Sequence, residues 1–197
     1  MSDFLTKGDD AREPLTPVFS DTANPIGLNG IEFIEYITPK PQALGQVLEM
    51  MGFHPIARHR SREVQLYRQG DINIVVNAHA AGQPRGPLSE GLELDEQVQT
   101  RIGAVAFRVR DARAAFDYVV DKGAWAVSTH PEVMELNIPA IHGAGGSRIY
   151  FVDRYKEFSI YDVDFIPTPG VNQHPPATTG MHFFGIVQYI GVDRSND

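Results

Sequence analysis

The side chains of this sequence able to bind a metal or move protons are its histidines and a few carboxylates set in apolar surroundings. Seven histidines are present, His54, His59, His79, His130, His142, His174 and His182, and there is no cysteine. No two histidines have the H-x-x-x-H or H-x-H spacing that puts a pair of imidazoles on one helix turn or one strand face. Ligands on separate strands would show no such spacing, so a dispersed set stays open. His54 and His59 flank a strand beside Arg58 and Arg60, where a surface role is the plainer reading. Among the carboxylates, Glu32 and Glu35 lie in "GIEFIEYI", and alternation places Glu35 on one face with Ile31, Phe33 and Ile37. Asp162 and Asp164 alternate in the same way with Phe158 and Ile160. Glu35 with Asp162 or Asp164 would offer carboxylate oxygens to a hard cation. The competing reading, a buried acid paired with Arg108 or Arg110, is the better of the two because structural ion pairs are common in such sheets.

Other chemistries find less support. "HGAGGSR" at 142 to 148 is glycine-rich but lacks G-x-G-x-x-G and the Gly-Lys-Ser/Thr ending of a phosphate loop, and a strand follows it. G-x-S-x-G is absent, so no serine has a nucleophile-elbow context. Without cysteine there are no disulfides, thiolate zinc sites or cysteine nucleophiles.

The elements that must position these groups read as two copies of one unit. In the first, residues 30 to 77, "GIEFIEYI" is a strand and "PQALGQVLEMMGF" a helix. Leu44, Val47, Leu48 and Met51 form its stripe, Pro41 suits its first turn and Gly52 its stop. "HPIARHR" is a second strand, and "REVQLYRQGDINIVVN" is a hairpin turning at Gln69-Gly70-Asp71. The same order restarts 73 residues later, counting from Ile31 to Ala104. "GAVAFRVR" is a strand, and "DARAAFDYVVDKGA" is a helix capped by Asp111 and ended by Gly123, with Ala112, Ala115, Phe116 and Val119 inward. "WAVST", "SRIYFVDR" and "EFSIYDVDFI" supply strands that close a second unit over 103 to 165.

Repetition of a βαβββ unit predicts an α+β fold: two tandem units forming one curved, mostly antiparallel sheet with helices outside. Its expected core includes Phe33, Leu48, Val75, Phe107, Phe116, Phe151 and Phe165. Residues 1 to 24, polar and acidic, read as a mobile arm before a paired module at 25 to 167. The connector after residue 79 has Pro and Gly first and a short acidic helix after. Residues 168 to 179, rich in Pro, Thr and Gly, read as a linker. "MHFFGIVQY" reads as a lone strand opening a further unit, so 180 to 197 are expected to begin a truncated C-terminal module.

Composition narrows the partners. The 197 residues carry 25 acidic against 17 basic side chains, a net charge of −8 that argues against nucleic acid. No apolar run approaches the roughly 20 residues of a membrane span, and the N-terminus is not a secretory signal. A cytoplasmic location is the expectation.

Several segments together resemble a known family. "GIEFIEYI", "MGFHPIARHRSREVQLYRQGDINIVVN", "AFRVRDARAAF", "MELNIPAIHGAGGSRIYFVDR" and "SIYDVDF" look like the N-terminal half of 4-hydroxyphenylpyruvate dioxygenases, over roughly Asn24 to Phe165 and in the family's order. The resemblance implies the vicinal-oxygen-chelate fold. It also implies a non-haem Fe(II) enzyme converting 4-hydroxyphenylpyruvate and O₂ to homogentisate and CO₂ in tyrosine breakdown. Such chemistry uses two His and one carboxylate on one face of iron, leaving positions for a bidentate 2-oxo acid and O₂. The resemblance places those ligands in the C-terminal half, with the N-terminal half a metal-free copy that supports it.

His182 lies where the first iron-binding His of that half is expected, although "MHFFGIVQY" departs from the family's Asp-His opening. It is the metal-ligand candidate of this chain, and no catalytic residue is assigned. Asn77 is expected to tie down a strand end. The implied partners are a small aromatic 2-oxo acid, bound through the C-terminal half, and further copies of the chain in a homo-oligomer. Two other functions stay open: a stand-alone vicinal-oxygen-chelate module that binds a small molecule, and a glyoxalase- or extradiol-type metal enzyme using Glu35 and Asp162.

Overall fold

The computed structural model describes residues 23–78, 99–128 and 137–187. The expected N-terminal arm, the connector helix, His79 and His130 lie outside the described residues.

Each unit begins with a strand and a helix whose ends are set by local chemistry. Strand β1 (Ile31–Ile37) leads to α1 (Pro41–Met50), which has proline in its first turn. Gly52 ends α1 with φ +91°, a left-handed conformation glycine adopts without a Cβ clash, and Phe53 N–H returns to Leu48 O at 3.0 Å. Strands β2 (His54–His59), β3 (Val64–Gln69) and β4 (Ile72–Asn77) follow. The β3–β4 hairpin turns through Gly70, φ +54°, and Asp71. In the second unit, β5 (Arg101–Arg108) precedes α2 (Ala112–Asp121), where Asp111 Oδ1 accepts from Ala114 N–H at 2.8 Å as an N-cap.

The strands form one eight-stranded sheet in the order β6-β7-β5-β1-β4-β3-β2-β8. The first unit contributes β1-β4-β3-β2 with β1 and β4 parallel, and the second contributes β5-β7-β6 with β5 and β7 parallel. The two meet at the antiparallel β1–β5 seam, where Ile34 faces Val105. The repeat read from the sequence thus becomes two similar half-sheets joined back to back at their first strands.

The second unit closes differently from expectation. "WAVST" contributes one bridging residue, Ala126, to Ile141. The next strand is β6 (Ala140–His142), in a stretch with no expected strand, and β7 (Arg148–Val152) is the closing one. "EFSIYDVDFI" is not a strand throughout. Its Tyr161–Asp164 form a single helical turn, α3, before β8 (Phe165–Pro167), which pairs with β2 at the other end of the sheet. The cause is local: Asp162 Oδ2 accepts from Ser159 N–H at 2.7 Å and from its hydroxyl at 3.0 Å, a side-chain turn that competes with the extended ladder.

Alternation divides the core into layers. Ile34, Tyr67, Ile74 and Val76 pack with Leu48 and Phe53 under α1, and Ala112 and Ala115 of α2 pack on Phe151. Phe33, Leu66, Val75 and Val152 face the opposite side, where Ile160 and Tyr161 lie over them. Val47 and Met51, expected in the α1 stripe, stay about half exposed at 46% and 49%. Phe107, Phe116 and Phe165 are half-buried rather than enclosed, so deleting one of those rings costs less than a full core deletion.

The segment read as a linker is tied to the first unit. Thr168 N–H donates to Ile56 O at 2.7 Å, Gly70 N–H to Pro175 O at 2.8 Å, and Thr178 N–H to Gln69 Oε1 at 2.8 Å. Residues 181–187 have no regular structure where a strand was expected. They find no ladder partner among the described residues and are held by Phe183 and Ile186 on the α1 cluster, while Phe184 points outward. No helix among the described residues is long and apolar enough to cross a membrane.

Candidate functional site

The face away from α1 and α2 carries a cleft of about 630 Å³, floored by β1, β3 and β4 and walled by residues 155 to 174. A bulge makes its floor. Ile31 pairs with Phe107, but Phe33 pairs with Ala106, so one extra residue of β1 is accommodated there and Glu32 turns into the cleft. Strict alternation would have put Glu32 opposite Phe33.

Glu32 is 2% exposed, and its carboxylate is well satisfied. Arg108 Nε donates to Oε2 at 2.5 Å, and Asn73 Nδ2 donates to Oε1 at 3.3 Å and to the Glu32 carbonyl at 2.9 Å. Arg68 Nε in turn holds Asn73 Oδ1 at 2.7 Å, and its Nη1 donates to Gln173 O at 3.0 Å. Both guanidinium groups stack on tyrosines, Arg68 on Tyr161 at 5.2 Å and Arg108 on Tyr155 at 5.7 Å. Tyr161 is buried, with its hydroxyl turned toward Glu32. Burial pushes this phenol well above its ordinary value, and the charge of the neighbouring Glu32 carboxylate and a hydrogen bond to it add to the rise.

The expected ion pair therefore exists, but with the other glutamate. Arg108 pairs with Glu32, and Glu35 takes its hydrogen bond from Asn77 Nδ2 at 2.5 Å. Asn77 thus ties the end of β4 to β1. Glu35 and Asp162 do not form a cluster: Asp162 is spent on Ser159. Among the described residues no three His, Asp or Glu side chains group so as to hold a metal ion. His182 is exposed, its ring Nδ1 3.1 Å from the Gly180 carbonyl. His59 packs edge-on against Phe165 at 5.4 Å, and His174 lines the cleft mouth. Arg68, Asn73 and Tyr161 escaped the sequence reading, since nothing in their local pattern marks a site. Their assembly depends on the β3–β4 register and on the crossing segment.

Glu35 supplies a pH test. Burial raises its pKa above the ordinary glutamate value of 4.5, outweighing the Asn77 hydrogen bond and the attraction of Arg148 and Arg101. A raised carboxylate pKa means the folded state holds the proton more tightly than the unfolded state. Its contribution is therefore complete below the unfolded value and is lost as pH rises through the folded one. Glu35→Gln is expected to flatten the decline in stability above pH 4.5, checked by urea midpoints at several pH values. A decline unchanged in the variant contradicts the assignment.

An eight-stranded sheet made from two such units, with a cleft on the helix-free face, defines the vicinal-oxygen-chelate, or glyoxalase-like, class. Within it, the family model described as "Hydroxyphenylpyruvate dioxygenase, HPPD, N-terminal" matches residues 22–166, and the chain belongs to that family. It is 41% identical over 153 residues to 4-hydroxyphenylpyruvate dioxygenase of Pseudomonas sp. (strain P.J. 874), covering 77% of this chain and 41% of the relative. Identity is 46% over 145 residues to the enzyme of the same name from Pseudomonas aeruginosa, covering 72% and 39%. A solved xylose isomerase-like TIM barrel/4-hydroxyphenylpyruvate dioxygenase fusion protein superposes with a TM-score of 0.58 at 31% identity, covering 73% of this chain and 22% of that one. The chain thus spans about two fifths of the length of the curated relatives it matches.

Proposed function

We propose that the chain acts as the N-terminal module of a 4-hydroxyphenylpyruvate dioxygenase-type enzyme, supporting a catalytic module instead of performing the reaction itself. The observation that carries this is the fate of its carboxylates. The family match extends across the paired units, yet Glu32 is engaged by Arg108 and Asn73, Glu35 by Asn77 and Asp162 by Ser159. A ferrous ion bound by two imidazoles and a carboxylate would accept a bidentate 2-oxo acid and O₂. Among the described residues no three His, Asp or Glu side chains are grouped for such an ion, and on this reading its ligands come from the catalytic module. His182 is the residue of this chain that we assign toward that iron, from its place after the second unit. The enzyme's substrate on this reading is 4-hydroxyphenylpyruvate, its product homogentisate, and its setting tyrosine breakdown in the cytoplasm, with the module assembling into a homo-oligomer.

Two measurements test the reading. The 197-residue chain supplied with Fe(II) and ascorbate is expected to form no homogentisate from 4-hydroxyphenylpyruvate. Turnover on the order of 1 per second or faster overturns the supporting role. A chimera in which residues 23 to 167 replace the matching segment of the P. aeruginosa relative is expected to retain oxygen uptake coupled to homogentisate. A chimera that folds and loads iron but does not turn over contradicts the proposal.

A further inference from the structure

We propose that the outer face of α1, with residues 181 to 187 lying beside it, is the surface on which the catalytic module docks. The inference rests on the dioxygenase reading for the identity of that module, and goes beyond it by naming the surface.

The repeat contains its own comparison. Helix α2 turns Arg113, Asp117 and Asp121 to solvent, with Arg113 Nε paired to Asp117 Oδ2 at 2.9 Å, the charged exterior expected of a helix that faces water. Helix α1 holds the same place in the first unit but carries a single charge, Glu49. Val47, Met50 and Met51 stand at i, i+3 and i+4 and so share one face, and Met50 is 80% exposed. Apolar side chains exposed singly are ordinary, whereas a contiguous set marks a surface that something covers. Flexible thioethers suit such a contact because they adapt to the shape of a partner.

The crossing segment brings the chain to this face. Gln69, fully buried, joins the two: its Nε2 donates to Met51 O at 2.9 Å, and its Oε1 accepts from Thr178 N–H at 2.8 Å. Thr178 lies so close to the end of α1 that a Cβ on Gly52 would meet its hydroxyl oxygen at 2.7 Å. Phe183 and Ile186 then pack on the cluster beneath α1, while Phe184 and Val187 stay exposed. Residue 187, and whatever is joined after it, is thereby held beside α1.

That placement favours a tethered module over a second copy as the occupant. A module joined through this segment meets α1 at an effective concentration on the order of millimolar, which a separate chain seldom reaches. The family match ends at residue 166 and takes up 41% of the Pseudomonas sp. relative, so the greater part of that protein lies outside the matched segment.

The test compares the 197-residue chain with the chimera carrying residues 23 to 167 in the P. aeruginosa relative, which keeps this α1 and takes everything after it from the relative. Methionines are oxidised with hydrogen peroxide and read by peptide mass spectrometry. Met50 is expected to react rapidly in the isolated chain and about tenfold more slowly in the chimera, where the module covers it. Met50→Glu is expected to move the melting midpoint of the isolated chain by no more than about 2 °C. In the chimera the same substitution is expected to return Met51 to its rate in the isolated chain. A second chimera, built on the Pseudomonas sp. (strain P.J. 874) relative, carries the test if the first does not fold.

Met50 reacting as fast in a folded chimera as in the isolated chain overturns the proposal, and with homogentisate still formed it leaves the dioxygenase reading intact. Slow oxidation with loss of turnover supports the docking face and counts against that reading instead. Protection that develops in the isolated chain as its concentration rises, with a doubled mass by light scattering, gives the face to a second copy and also overturns the proposal.

Discussion

Replacing Arg108 with methionine is expected to destabilise the fold by about 3–5 kcal/mol, the cost of leaving a buried charge without its partner. Glu32 is 2% exposed, and Arg108 is its only cationic contact among the described residues. The substitution also removes the bond to the Asp71 carbonyl and the stacking on Tyr155, so the β3–β4 turn and the crossing segment both lose a tether to β5. The methionine stem keeps most of the apolar packing, which confines the loss to the charge. Urea midpoints of the single variants and of Glu32→Gln/Arg108→Met give a double-mutant cycle. The double variant is expected to recover much of the loss, because two neutral side chains no longer strand a carboxylate. An Arg108→Met midpoint within error of the parent shows that Glu32 is not held in the way the geometry implies.

Leu66→Ala is expected to cost about 2–5 kcal/mol, the range for truncating an enclosed leucine to alanine. Leu66 is fully buried, pairs with Ala57 on β2 and Val75 on β4, and packs beneath Ile160 and Tyr161 of the crossing segment. Neighbours fixed in three strands cannot readily collapse into the space it leaves, which places the expected loss in the upper part of the range. The same substitution enlarges the cleft floor. Thermal melts and urea unfolding check the stability, and a cost below about 1 kcal/mol means the crossing segment does not pack on β3 as described.

Much of the scaffold was readable because its cues are local. Proline at the start of α1 and the left-handed Gly52 after it, the Asp111 cap on α2, and the turn at Gly70-Asp71 act within a few residues of themselves. Period-two apolarity then marked β1, β3, β4 and β5, and the repeat announced a paired architecture. The resemblance carried by those same segments named the family that residues 22–166 match.

What failed to show in the sequence was every feature that depends on partners far along the chain. Strand β6 is three residues long and exists because Ile141 meets Ile149 on β7 and Ala126 across its other edge. The residues at 158 to 165 alternate like a strand, yet Asp162 bonds to Ser159 and bends them into α3, freeing β8 to cross to β2. Gln69, polar and fully enclosed, looks like an ordinary turn residue until its amide is seen joining Met51 O at 2.9 Å to Thr178 N–H at 2.8 Å.

The cleft follows the same rule. That a buried acid would pair with Arg108 was legible from residue types, since an isolated carboxylate is costly in an apolar sheet. Which acid it would be was not: a single bulged residue in β1 sends Glu32 rather than Glu35 to the arginine. The sequence by itself determined the repeat, the helix ends and the hairpin, because these rest on local propensity and periodicity, and it pointed to the family through the resemblance of its segments. Only the tertiary structure decided the seam, the register and the company each charge keeps, because strand pairing joins residues far apart in the chain, as Ala57 of β2 and Pro167 of β8.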